Sequence, residues 1–284
     1  MYHDNRCFDC LLSRVGLECE LTGASESERE IVLAHAHKLI TFLHTTPWTH
    51  PVVASQIHRS VYQKLGNCDP FAQLKKDSNI QAAGVIDLIQ GDLTDFRSIV
   101  TAAVIGNIFD YGVKGHVIEE NFQDFFRREF ASGLYIDHTD EILALCRRII
   151  YITDNCGEIL FDKLLLTYLK KHGAFITLIV RDGPILNDAT LEDAYACGLD
   201  ALVDELITTG SGCEIGVRFD LLSEPVLDAF DQCSLIISKG MANYESLREE
   251  EGLPPIAFLL AAKCDPIAEE LHVPRGAKLA LLKK

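Results

Sequence analysis

From about residue 146 onward, the sequence alternates short, continuously apolar runs with longer stretches of helical periodicity. The predicted strands are 148–153, 174–180, 203–208, 234–238 and 256–261. The predicted helices between or after them are 157–172, 188–197, 223–231, 242–249 and 265–271. Strands without polar alternation are typical of a parallel sheet that helices cover on both faces. This half therefore predicts an α/β fold with a doubly wound, Rossmann-like parallel sheet.

The preceding half has helical character throughout. Apolar residues recur at helical spacing, with prolines and glycines between the segments. The segments are 29–44, 51–65, 80–90, 94–109 and 119–130. We therefore predict an N-terminal all-helical domain of residues 1–145 and an α/β domain of residues 146–284.

Composition narrows the classes of partner. The chain carries a formal net charge of −16, which argues against nucleic acid and anionic membranes, because both require a basic face. No apolar run approaches the roughly 20 residues of a membrane span. The N-terminal sequence is polar and does not resemble a signal peptide, so we expect the ten cysteines to be reduced thiols in the cytoplasm.

Polar residues and glycines follow four of the predicted strands. These exits are 154–158, 181–190, 208–216 and 239–245. Right-handed crossovers bring the carboxyl ends of parallel strands to one edge of the sheet, where such folds bind their ligands. The sequence therefore predicts one site assembled from four exits.

Asp154, Asn155 and Asp188 are the candidate metal ligands. Their carboxylate and amide oxygens are the donors that a hard cation such as Mg²⁺ or Mn²⁺ prefers. A single Asp at such a position is equally well explained as the N-cap of a helix. Two adjacent donors on one exit and a third on the next favour a shared divalent ion.

Glycine and positive charge in the same exits predict a phosphate site. Gly157 lets the backbone approach a ligand closely, and helix N-termini offer N–H groups to phosphate oxygens. Lys239 and Arg181 add positive charge. Glu158 and Asp162 lie one helical turn apart, which is typical of a solvated face. Glu158 stays a candidate because it lies in the first turn.

Several motifs in chain order resemble the metal-dependent damage-control phosphatases, formerly the domain of unknown function eighty-nine. The motifs of the second half are DNCGEILFDKLL, GPILNDAT and SKGMANYE. Those of the first half are RCFDCLL, DPFAQLKKDSN and GNIFDYG, which resemble the microbial branch with an N-terminal Cys-x-x-Cys. The resemblance extends from about residue 6 to residue 279.

The resemblance implies a helical part on a doubly wound α/β domain and the hydrolysis of phosphomonoesters of small metabolites. The substrates would be sugar phosphates or damaged cofactor or nucleotide intermediates, and the cofactor a divalent ion such as Mg²⁺, Mn²⁺, Co²⁺ or Ni²⁺. Asp154, Asn155 and Asp188 would bind the metal. The catalytic candidates are Asp154, Lys239 and Glu158. The substrate-binding candidates are Asn107, Asp110, Gly157, Arg181, Asn187, Gly240 and Asn243.

The predicted mechanism is attack by a metal-activated water, which Asp154 or Glu158 orients or deprotonates. A covalent route through Asp154, as in haloacid-dehalogenase-type phosphatases, would need a second Asp where this chain has Cys156. Two other functions remain open, a methyltransferase using S-adenosylmethionine and a non-catalytic binding module. Cys7 and Cys10 form one C-x-x-C, for which structural burial is favoured over metal or redox use because zinc needs two further ligands.

Overall fold

The fold is taken from a computed structural model, which describes residues 4–108 and 122–284. The helices of the first half are α1 (Asn5–Leu21), α2 (Glu26–Leu43), α3 (His50–Leu65), α4 (Ala72–Ile89), α5 (Phe96–Ile108), α6 (Phe122–Ser132) and α7 (Thr139–Leu145). The helices of the second half are α8 (Glu158–Lys171), α9 (Leu191–Ala196), α10 (Glu224–Gln232), α11 (Met241–Leu247) and α12 (Asp265–Glu270). The strands are β1 (Ile136–Asp137), β2 (Arg148–Ile152), β3 (Phe175–Val180), β4 (Glu205–Thr208), β5 (Leu235–Lys239), β6 (Ile256–Ala261) and β7 (Lys278–Lys283).

The strands form one seven-stranded sheet in the order β1-β7-β6-β5-β2-β3-β4. Strands β4, β3, β2, β5 and β6 are parallel, so their carboxyl ends lie on one edge. The order reverses around β2, which lies between β5 and β3 at the centre. This is the predicted doubly wound α/β class, with the ligand edge beyond the ends of β2, β3 and β5.

Helices cover both faces of the sheet. Along β2, Ile149 and Tyr151 belong to a core shared with α5, α8 and α9. Ile150 and Ile152 belong to a second core shared with α10, α11 and α12. Because both faces are covered, the central strands are almost continuously apolar rather than alternating, which is the pattern that revealed them in the sequence.

The helical half is joined to the sheet by α5. Phe96, Val100 and Val104 of this helix are buried in the same core as Ile149 of β2, and the helix packs against β6 and β7. Helices α1, α2 and α3 form a separate core that reaches the sheet through Ile185, in the loop after β3. The division at residue 145 stays a prediction, since β1 precedes it and pairs with β7.

Strand β7 was not predicted, and it runs antiparallel to β6. The connection includes the six-residue helix α12, and β7 pairs with β6 from Ile256 opposite Lys283 to Ala261 opposite Lys278. An antiparallel strand does not need a crossover that carries the chain back to the start of the sheet.

Helix α1 was also not predicted, because its apolar stripe is narrow. Its buried side chains include Leu11, Val15 and Cys19, spaced four residues apart, while charged residues fill the other faces. Asp4 caps its start by accepting a hydrogen bond from the Arg6 amide at 2.8 Å. Among the described helices, none combines the length and the apolar character that crossing a bilayer requires.

Candidate active site

The loops after β2 and β3 are joined by backbone hydrogen bonds at the carboxyl edge of the sheet. Asn155 and Asp188 form an isolated antiparallel bridge. The Ala189 amide donates to the Asp154 carbonyl at 2.8 Å, and the Cys156 amide donates to the Asn187 carbonyl at 2.9 Å. The structure therefore brings the three candidate metal ligands, Asp154, Asn155 and Asp188, to one place on one edge.

Each candidate ligand keeps one oxygen available. Asp154 accepts hydrogen bonds at Oδ2, from Asn107 at 3.1 Å and from Asn155 at 2.7 Å. Asp188 accepts at Oδ2 from Arg181 Nε at 2.6 Å. From the residues that the structure describes, no hydrogen bond reaches Oδ1 of Asp154, Asn155 or Asp188. These three oxygens remain for an incoming cation.

Asn107 links the helical half to this edge. It lies in the last turn of α5 and is fully buried. Its Nδ2 also donates to Glu158 Oε2 at 2.8 Å, and its Oδ1 accepts from the Ala261 amide at 3.2 Å. With every polar atom engaged, Asn107 orients the carboxylates of Asp154 and Glu158. Asp110, its predicted companion, lies outside the described residues.

Lys239 is held in a buried ion cluster. Its Nζ lies 2.6 Å from Glu158 Oε1, 2.6 Å from Asp162 Oδ1 and 3.0 Å from the Ala103 carbonyl. The ammonium donates hydrogen bonds to Asp162 and the Ala103 carbonyl and forms an ion pair with Glu158, and the side chain is fully buried. The expectation of a solvated face for Glu158 and Asp162 is wrong. Both side chains are fully buried, and both form ion pairs with Lys239.

Arg181 also uses its side-chain nitrogens in hydrogen bonds to protein oxygens. Its Nε donates to Asp188, its Nη1 to the Gly216 carbonyl at 2.6 Å and its Nη2 to Asn243 Oδ1 at 2.9 Å. Asn243 in turn donates to the carbonyls of Thr153 and Lys239. Both side chains are buried, so they fix the loops after β2, β3 and β5 relative to one another.

The buried acids carry more charge than the buried bases. Four carboxylates (Asp154, Glu158, Asp162 and Asp188) meet two cations, Lys239 and Arg181. Burial raises the pKa of Asp154 to about 8, and the carboxylates of Asp188 and Glu158 add to this rise. Burial also raises the pKa of Asp188, although Arg181 opposes it.

The pKa values of the Lys239 cluster follow the same logic. Burial lowers the pKa of Lys239, but Asp162 and Glu158 outweigh it and raise the value to about 12. Burial raises the pKa of Asp162 to about 6, against the effect of Lys239. Lys239 is thus a permanent cation.

A cavity of about 670 Å³ adjoins the edge. Three of its lining residues, Ile108, Met241 and Ala261, lie next to or touch the network described above. Further lining residues are Arg6, Cys7, Cys10, Arg14, His50, Glu245, Lys263, Cys264, Asp265, Pro266, Ile267, Arg275 and Gly276. The cavity therefore extends from the carboxylate edge to α1 and the loop after β6.

Comparison with known proteins agrees with the sequence motifs. The family model of the damage-control phosphatase ARMT1-like domain matches residues 3–279. This chain belongs to the damage-control phosphatase family. A damage-control phosphatase of Archaeoglobus fulgidus is 39% identical over 96% of this chain and 96% of its own. One of Pyrococcus horikoshii is 34% identical over 98% of this chain and 97% of its own.

A solved structure supports the fold of this family member. The crystal structure of a DUF89 family protein from Pyrococcus horikoshii matches with a TM-score of 0.91 at 33% identity, covering 100% of both chains. The predicted family and fold class are confirmed, and family membership supports a phosphatase. The methyltransferase alternative receives no support. The assignment to the branch with an N-terminal Cys-x-x-Cys stays a prediction.

The edge of this damage-control phosphatase lacks a closed metal shell. Throughout residues 4–108 and 122–284, no group of three or more His, Cys, Asp or Glu side chains is arranged to hold a metal ion. Two carboxylates and one amide, the predicted ligand set, would form an open shell. Mg²⁺ is commonly bound in this way, through one or two carboxylates with water and substrate phosphate completing the coordination.

The cysteine thiols near the site have pKa values that burial raises. Cys156 is fully buried in the sheet core, and burial raises the pKa of its thiol well above the usual range. It is a packing residue of that core. Cys7 and Cys10 line the cavity with Cys264, and burial raises the pKa of Cys7 to about 12.

Three residues of the site were missed in the sequence. Asn79 of α4 accepts the Gly157 amide at 2.6 Å, which occupies the N–H group predicted to bind phosphate. Asp162 pairs with Lys239, and Lys263 lines the cavity. Lys263 follows the predicted strand 256–261, so the rule that identified the other exits would have found it.

The substitution Gly240→Ala is expected to disrupt the carboxylate site at the sheet edge. Gly240 has φ +78°, and an added Cβ would lie 2.0 Å from Asp154 Oδ2. We expect loss of most activity and a drop in unfolding free energy of about 1–3 kcal/mol, measured by thermal unfolding and phosphatase assay.

Gly252→Ala is the matched control for this substitution. Gly252 has φ +76°, but nothing lies within 4 Å of its added Cβ. The two variants share the backbone strain, and only Gly240→Ala collides with Asp154. Equal activity in both variants would contradict a close approach of Gly240 to the site.

Proposed function

We propose that this chain is a divalent-metal-dependent phosphatase that hydrolyses phosphomonoesters of small metabolites. The observation that carries the proposal is the carboxylate edge, where Asp154, Asn155 and Asp188 each keep an oxygen free and the buried acids outnumber the buried bases. One divalent cation would balance that charge. The donor set of oxygens suits Mg²⁺, Mn²⁺, Co²⁺ or Ni²⁺, with the harder ions favoured.

The metal would be held by Asp154, Asn155 and Asp188. When bound, it would neutralise phosphate charge and lower the pKa of a water molecule, which is the main chemical requirement of phosphoryl transfer. The neighbouring side chains would hold these ligands in position. Arg181 fixes Asp188, while Asn107 fixes Asp154.

Asp154 is the favoured residue for orienting the attacking water and accepting its proton. Both oxygens of the alternative, Glu158, are engaged by Lys239, Asn107 and Asn155. Oδ1 of Asp154 has no such partner among the described residues, so this oxygen would be available both to the cation and to a water molecule beside it. A covalent route stays disfavoured, because Cys156 occupies the position where a second Asp would act.

The adjoining cavity supports a substrate larger than phosphate itself. Its volume of about 670 Å³ lies within the range of small-molecule sites. Sugar phosphates and damaged nucleotide or cofactor intermediates fit this size.

All ten cysteines are free thiols, which supports the cytoplasmic location expected from the sequence.

Chelation and metal rescue test the proposal. After chelation, hydrolysis of p-nitrophenyl phosphate should fall by at least about 100-fold, and one or more of the four cations should restore it. The same cation should raise the midpoint of thermal unfolding, because it binds only the folded chain. Undiminished hydrolysis by the chelated, metal-free protein would contradict the proposal.

A further inference from the structure

We infer that Asn79 of helix α4 is a positioning residue for the metal site, because it holds the loop that carries Asp154 and Asn155. Lys75, one helical turn earlier, holds the start of the helix that follows Asp188. The inference rests on the phosphatase function proposed above. It gives a role to the segment DPFAQLKKDSN, which supplies none of the candidate metal ligands.

The first argument is the hydrogen bond between Asn79 and the start of α8. Gly157 is the N-cap residue of this helix, and its amide donates to Asn79 Oδ1 at 2.6 Å across 78 residues of chain. In a capping box, the side chain of the third helical residue accepts this amide. The third residue of α8 is Leu160, which has no acceptor. Asn79 therefore completes, from α4, a cap that α8 cannot make for itself.

The second argument is that Lys75 makes a comparable contact beyond β3. Its side chain is buried, and its Nζ lies 2.7 Å from Asp193 Oδ2 and 3.5 Å from Asp69 Oδ2. Asp193 Oδ2 also accepts hydrogen bonds from the Thr190 amide at 2.9 Å and the Thr190 hydroxyl at 2.7 Å. Lys75 thus anchors the N-cap of α9, which lies two residues beyond Asp188.

The third argument is the matching position of the two anchored residues. Each lies two residues beyond a candidate metal ligand, Gly157 after Asn155 and Thr190 after Asp188. The two side chains of α4 that hold them are four residues apart, so they lie on the same face of the helix. One face of α4 therefore contacts both loops just beyond their candidate ligands.

Electrostatics explain why the loops need such anchors. Burial raises the pKa of Asp154 most, and the carboxylates of Asp188 and Glu158 raise it further, so the acids of the edge repel one another. The contacts of α4 and the backbone bonds between the loops oppose that repulsion before a cation binds. A site that is already assembled binds its cation more tightly than one that must first be ordered.

The test compares two variants that lack the acceptor, Asn79→Leu and Asn79→Ala, with Asn79→Asp, which keeps an oxygen at the same position. Gln81→Leu is the matched control, because it removes an exposed amide from the same helix. Affinity for Mn²⁺ alone is measured by calorimetry, so the readout needs no turnover. Thermal unfolding without metal shows which variants are folded, and kinetics with p-nitrophenyl phosphate are measured in parallel.

Asn79→Leu and Asn79→Ala should weaken Mn²⁺ binding at least tenfold and lower kcat, with a smaller change in KM, because Asn79 acts on the metal ligands. Asn79→Asp should bind Mn²⁺ no more than twofold more weakly than the unchanged chain, and Gln81→Leu should change neither quantity. If Asn79→Leu does not fold, Asn79→Ala decides.

Two results would overturn the assignment. One is Mn²⁺ binding within twofold of the unchanged chain in a folded variant that lacks the acceptor. The other is a loss of Mn²⁺ affinity in Asn79→Asp as large as that in Asn79→Ala, because a lost hydrogen bond would then not be the cause.

The two proposals fail in different ways. If the unchanged chain hydrolyses phosphomonoesters while the variants without the acceptor bind Mn²⁺ equally well, the phosphatase proposal stands and the role of Asn79 is wrong. If the unchanged chain binds Mn²⁺ but hydrolyses nothing with any of the four cations, the phosphatase proposal fails, and the Mn²⁺ affinities still decide the role of Asn79. An unchanged chain that binds none of the four cations overturns both.

Discussion

Replacing Asp154 with Asn is expected to lower metal-dependent turnover by roughly a thousandfold while the protein stays folded. The substitution removes an anionic ligand but keeps an oxygen that can accept the hydrogen bonds of Asn107 and Asn155. The measurement is kcat for p-nitrophenyl phosphate at saturating Mn²⁺. Asp188→Asn should have a similar effect.

The stability of the metal-free Asp154→Asn variant should rise. Burial raises the pKa of Asp154 from 3.8 to about 8, so the carboxyl costs stability at every pH above its unfolded pKa. The cost grows until the pH passes the folded pKa, and the neutral amide removes it. A chain that is merely damaged would lose stability instead.

Asp228→Asn is the control for this pair. Asp228 is an exposed acid on α10, and its substitution should leave activity and stability unchanged. Full activity in both Asp154→Asn and Asp188→Asn would rule out a metal site at this edge.

The second large effect is expected from Lys239→Met, which should lower the free energy of unfolding by about 3–5 kcal/mol. The substitution leaves Glu158 and Asp162 buried without their cation. The loss should be largest at high pH and shrink as the pH falls, at the latest below about 6, the pKa that Asp162 has beside Lys239. Protonation then removes the buried charge. Urea unfolding across this pH range measures both effects.

The double variant Lys239→Met with Asp162→Asn provides the matched comparison. Because it removes one buried acid together with the base, it should recover part of the lost stability. Lys171→Met removes an exposed ammonium and should change stability little. If Lys239→Met were as stable as the unchanged chain at pH 8, the buried ion cluster would not contribute to folding.

The parallel strands of the fold could be read from the sequence because burial on both faces leaves a local signature. The runs around Ile150 and Ile179 are almost continuously apolar, and they coincide with β2 and β3. The antiparallel direction of β7 left no such signature in the sequence. The position of Asp154 and Asp188 directly after apolar strands likewise made them site candidates from the sequence.

The pairing of side chains could not be read in the same way. Lys239 and Asp162 are 77 residues apart in the chain, and Lys239 and Ala103 are 136 apart. A basic residue after a strand looks the same in the sequence whether it faces a substrate or a buried carboxylate. Only the packing of α5 and α8 beneath β5 turns Lys239 inward, and that packing depends on three distant segments.

The insertion of α5 into the core of the sheet has a consequence for the newly made chain. Synthesis proceeds from the N-terminus, so this apolar helix leaves the ribosome before β6 and β7, the strands that it packs against, exist. Val100 and Val104 lack that cover until more than 150 further residues have been added. We expect the apolar side of α5 to be exposed during that interval, when it is open to chaperones and to aggregation.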